Sequence, residues 1–193
     1  MVTEPSDRSA LIRWAGWAGV VAGAMWVLTA ILILLTTPQR VVFSSFSDYL
    51  LQVVLLVAYA GTMVAILGVH AMQSGRYGRL GAVGSAITFV GYAIVFVVVA
   101  VSIAQGGASL LSVRLGGAAA VLIGSILLGV MTIRARILPW WCGVLLIIAF
   151  PLGDLSNAVL RGGEGILLGV LWGLVGYALL SPRGKNASPQ PDG

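Results

Sequence analysis

Six apolar runs, parted by short polar or glycine-bearing breaks, organise the chain: residues 14–36, 50–72, 80–103, 115–133, 137–160 and 162–180. A helix rises about 1.5 Å per residue, so some 20 apolar residues cross the hydrocarbon core of a bilayer, and most runs are near that length. The pattern therefore predicts an all-α membrane protein, a bundle of six transmembrane helices with both termini on the cytoplasmic side. One domain, 14–180, follows a polar N-terminal arm, 1–13, and precedes a tail, 181–193, whose Pro, Gly and Ser content is that of a disordered segment. The first run is too long for the apolar region of a cleaved leader, roughly 7 to 15 residues, and is expected to be the first span.

The breaks carry local signals. Between the first two runs, Pro38 and Arg40 precede FSSFSD, in which Ser45 and Asp48 have the spacing of a capping box and mark the start of the second helix. Gln105, Gly106, Gly107 and Arg114 interrupt the chain between the third and fourth runs.

Composition and charge fix the class and the orientation. Hydrophobic residues make up 59% of the 193 and charged residues 9%, against about 25% charged in soluble domains. The net charge of +5 would suggest a nucleic-acid partner in a soluble protein, but here the basic residues stand at the ends of apolar runs. Arg8, Arg13, Arg76, Arg79, Arg134, Arg136, Arg183 and Lys185 fall on one side of a six-span model, and only Arg40, Arg114 and Arg161 on the other. The positive-inside rule makes the first side cytoplasmic and the partner the lipid bilayer, with no nucleic acid. A five- or seven-span model would scatter this bias. Cys142 is the only cysteine, so it reads as a small apolar filler.

Small residues recur one turn apart. Ala15, Gly19 and Gly23 line one face of the first span, Gly116, Ala120 and Gly124 the fourth, and Gly165, Gly169 and Gly173 the sixth. Such faces let helices approach closely, either inside one bundle or against a membrane-protein partner or a second copy, for which the last stripe is the strongest candidate. The first, third and fifth spans also begin alike, with Arg13, Arg79 and Arg136 just before glycine-bearing starts, as three parallel hairpins would. Ordinary cytoplasmic helix starts produce the same pattern.

Candidate chemistry is sparse. Asp154 is the one acid inside an apolar run, and an ionisable group at membrane depth is a functional hypothesis by default. Asp154, Asn157 and Arg161 share a helix face, Pro151 removes the hydrogen bond to the Ile147 carbonyl and should bend the helix, and Asp48 and Glu164 belong to the same extracytoplasmic layer. A small polar site of Asp154, Asn157, Arg161 and Asp48 could bind a cation or accept a proton; the alternative is a structural ion-pair network with Arg114 or Arg40. His70 is the only histidine, too few for a metal or haem site, and no metal or other cofactor is expected. Trp14, Trp17, Trp140, Trp141 and Tyr77 suit an interfacial belt, whereas Trp26 and Trp172 lie deeper and require hydrogen-bond partners or a pocket. Nucleotide-binding glycine motifs and a zinc-protease motif are absent from the sequence.

The stretch LGVHAMQSGRYGRLG from Leu67 to Gly81, with Arg13-Trp-Ala-Gly and Leu138-Pro-Trp-Trp, resembles uncharacterised small multipass integral membrane proteins of GC-rich bacteria. That resemblance implies the multipass plan, no activity and no site residues. The stripes of small residues beside so few polar groups lead first to a non-enzymatic protein acting by helix–helix association, as a subunit or regulator of a membrane complex or as a homo-oligomer. Two other functions stay open: a transporter or channel-like protein for a small or amphipathic solute, with Asp154 in an external polar site, and an intramembrane enzyme acting on a lipid or isoprenoid.

Overall fold

The computed structural model describes the backbone of residues 5–36, 43–76, 78–107 and 110–181, and the side chains of all of these except 5–8, 154, 157 and 158. Six helices account for nearly all of it: α1 (Pro5–Leu35), α2 (Phe46–Gln73), α3 (Gly78–Gln105), α4 (Leu111–Ala135), α5 (Trp140–Val159) and α6 (Gly163–Leu180). The fold is all-α, as the apolar runs predict, and the protein is a multipass membrane protein. Among the described residues, five helices are long and apolar enough to cross a bilayer. The fifth helix, of 20 residues, carries Pro151 inside it.

Helix ends differ from the run boundaries for local reasons. The first helix includes residues well before 14, so most of the polar arm is helical from Pro5, the first described residue, onward. The second begins at the capping box: the Ser45 hydroxyl accepts from the Asp48 N–H at 3.3 Å, and Asp48 Oδ2 accepts from the Ser45 N–H at 2.9 Å. The turn into α6 passes through Gly162 at φ +82°, where a methyl group would lie 3.0 Å from the Ala30 carbonyl oxygen. Only glycine meets both conditions at once. The tail, 182–193, lies outside the described residues.

Each helix packs on its neighbour in the chain, and α6 returns to α1, closing a ring. Adjacent helices run antiparallel, as the paired levels show: Gly16 lies by Leu180 and Gly165 by Ala30, while Gly84 lies by Leu128 and Gly117 by Ile94. Both ends of the helical domain therefore lie at one end of the bundle, the terminal end; the starts of α2, α4 and α6 lie at the other, the distal end.

Glycine sets how closely the helices meet. A methyl on Gly23 would lie 2.6 Å from the Gly173 nitrogen and 2.7 Å from the Gly169 oxygen, and one on Gly169 2.9 Å from the Gly23 oxygen. Gly19 meets the Gly176 backbone, and Gly165 the Trp26 and Ala30 backbone. The stripes on the first and last spans thus face each other within one chain, although the Cβ direction of Gly173 itself points into open space. Between α3 and α4 the close approaches are at Gly84, Gly91, Gly117 and Gly124, while Gly116 is exposed. Between α4 and α5 they are at Gly129 and Gly143. The contact of α2 with α3 includes none of these approaches and is filled by side chains.

Candidate functional site

Four aromatic side chains from four helices meet in the middle of the ring. Trp26 of α1 stands edge-on to Tyr59 of α2, centroids 5.0 Å apart at 88°; Tyr59 lies 5.9 Å from Tyr92 of α3; and Tyr92 lies 6.2 Å from Trp172 of α6 at 75°. All four are buried, Trp172 at 1% exposure. Large amphipathic rings need partners for their polar tips when they are enclosed. The Trp26 indole N–H donates to the Thr62 hydroxyl at 3.2 Å. The Tyr92 hydroxyl lies beside the Trp172 indole without the alignment of a hydrogen bond, and Trp172 Nε1 has no partner among the described residues.

The layer is joined to the distal end by charge. Arg114, in the first turn of α4, is exposed, yet its guanidinium comes within reach of the hydroxyl of the buried Tyr59. The Glu164 carboxylate, in the first turn of α6, is within Coulombic range of both Tyr59 and Tyr92. Glu164 also lies along α5, where a methyl on Gly153 would be 3.1 Å from its Cγ. Arg114 and Glu164 thus form a polar cluster between the exposed distal end and the buried aromatic layer. Its groups are hydroxyls, one cation and one anion.

The residues singled out from sequence are distributed differently. Asp48 is buried, and its Oδ2 accepts from the N–H groups of Ser44 and Ser45 and from the Ser45 hydroxyl, so its cap accounts for those bonds. Arg161 is exposed in the α5–α6 turn. Asp154 and Asn157 lie on α5, with side chains outside the described residues. Cys142 is fully buried in the core, and His70 is partly buried in the last turn of α2. Trp14, Trp17 and Trp140 are exposed near the terminal end, as belt residues would be. Sequence reasoning did not single out Tyr59, Tyr92 or Thr62; their only signal is a polar tip in the middle of an apolar run.

A second polar contact crosses the ring near the terminal end. Gln73, the last residue of α2, is completely buried, and its Oε1 accepts from the Thr132 hydroxyl of α4 at 3.2 Å. Its Nε2 has no partner among the described residues. Three other buried hydroxyls, those of Thr29, Thr88 and Ser102, each donate to a carbonyl one turn back in their own helix.

No family model matches the chain, and comparison with curated proteins and with solved structures finds no match.

Proposed function

We propose that the protein binds or passes a small or amphipathic solute through the interior of its helix ring, in a bacterial cytoplasmic membrane and with both termini in the cytoplasm. The observation that carries this reading is Arg114, an exposed cation that reaches the buried Tyr59 with Glu164 close by. Ionisable groups at or near membrane depth are costly, and those turned towards a bundle interior mark solute and ion paths. Association with another protein draws on the small-residue faces, but Gly19, Gly23, Gly165 and Gly169 already meet helices of the same chain. The orientation rests on the sequence, in which a six-span topology puts eight basic residues on the side of both termini and three on the other.

Gentle extraction followed by native mass spectrometry tests the reading. A retained small molecule, lost in Arg114→Gln and in Glu164→Gln, is expected; a stoichiometric protein partner with no small molecule would overturn it in favour of association. A reporter fused after Arg136 should be cytoplasmic, and an external signal there refutes the orientation.

A further inference from the structure

The ring is not held equally all round. Backbone-to-backbone approaches through glycine join α6, α1 and α2 into one unit and α3 and α4, with the start of α5 held on α4 at Gly129 and Gly143, into another. Between these units the described contacts are made by side chains and one loop-to-loop backbone hydrogen bond, in three layers. At the distal end Arg114 of α4 reaches Tyr59 of α2, and the Phe43 N–H donates to the Gly106 carbonyl at 2.9 Å, loop to loop. In the middle Tyr92 of α3 stands against Tyr59 and Trp172. At the terminal end Thr132 of α4 donates to Gln73 of α2.

Two buried side-chain donors lack a partner among the described residues, Trp172 Nε1 and Gln73 Nε2, and both belong to residues that touch across this seam. An enclosed, unpaired N–H opposes the closed arrangement, whereas water or a solute admitted by opening would satisfy it. The fifth helix packs on both α4 and α6 and carries Pro151, which lacks the N–H for an intrahelical bond and lets the helix bend.

We propose that the α3–α4 unit moves against the α6–α1–α2 unit, with Arg114–Tyr59 and Thr132–Gln73 as two latches at opposite ends of one seam, the arrangement seen here being closed at both. The aromatic layer lies between the latches. Opening one while the other holds would expose that layer to one side of the membrane at a time, as alternating access requires. This inference rests on the solute-pathway reading for its purpose, but its test is separate.

Spin-label distance measurements on the full chain in lipid nanodiscs, with Cys142→Ser, would use three pairs of exposed sites: Phe46 with Leu111 at the distal end of the seam, Gly75 with Arg134 at the terminal end, and Trp17 with Tyr177 across the glycine-packed α1/α6 contact. The α1/α6 pair should give one narrow distance in every protein, which also reports correct folding. Arg114→Gln should raise the population at longer distal distances about fivefold, and Thr132→Val, which strands both polar atoms of the Gln73 amide, should do the same at the terminal end, the worth of roughly one buried polar contact. Seam distances as narrow as the α1/α6 distance in all proteins would overturn the inference, and so would broad ones that neither substitution alters. Seam motion without a retained solute would keep this inference and sink the solute reading; a retained solute with a rigid seam would do the reverse.

Discussion

The contact of α1 with α6 and the seam between α2 and α3–α4 solve one problem in opposite ways. In a bilayer, lipid tails are as apolar as leucine, so helices gain little by burying apolar surface against one another and depend on close packing and hydrogen bonds. The first contact uses close packing: Gly19 and Gly23 bring the backbones together against Gly169, Gly173 and Gly176. The second uses polar side chains and rings, Arg114 near Tyr59, Tyr59 against Tyr92 and Thr132 bonded to Gln73, and leaves two buried donors without a partner among the described residues. Backbone packing over several turns leaves no second arrangement of similar energy. A seam of separate polar contacts, incompletely satisfied, does.

Substitutions should separate the two regions. The largest effect is expected from Gly23→Leu, whose side chain would enter the α6 backbone; a loss of about 3 kcal/mol or more is predicted for reversible unfolding in mixed micelles, while Gly173→Ala, facing open space, should change little. Thr132→Val comes next, since it leaves both polar atoms of Gln73 without a side-chain partner and should destabilise by about 1–2 kcal/mol; adding Gln73→Leu should recover most of that loss. If the double variant is no more stable than Thr132→Val alone, the contact is not the unit described here.

Trp26→Phe and Trp172→Phe remove the same part of a ring from one aromatic layer, so their difference isolates the N–H. The first breaks a hydrogen bond to Thr62 and the second removes a stranded donor, so Trp172→Phe should be less destabilising by roughly 1–2 kcal/mol. Equal losses would show that Trp172 Nε1 is satisfied in the membrane. The smallest effect, about 1 kcal/mol, is expected from Ser45→Ala, which opens the cap of α2 outside both regions and calibrates the scale.

Sequence was a better guide to the elements than to the site. The capping box at Ser45 and Asp48 acts between residues three apart and could be read directly, and Trp26 and Trp172 could be recognised as rings needing partners. Asp154 drew attention as the lone acid in an apolar run. Arg114 and Glu164 did not, because each stands at the edge of its run, where a charge looks solvated. Only the ring geometry turns both towards Tyr59.

The sequence by itself determined the membrane class, the six helices, the helix start at Ser45 and the asymmetry of basic residues between the two ends. These depend on run length, local hydrogen bonding and composition, which are properties of neighbours in the chain. The tertiary structure decided which glycine face meets which, that the first and last stripes are used on each other, and that Tyr59, Tyr92, Trp26 and Trp172 share one layer. In a soluble helix the apolar stripe would have shown the inner face; here the face towards lipid and the face towards the core are both apolar, so periodicity carries little of that information.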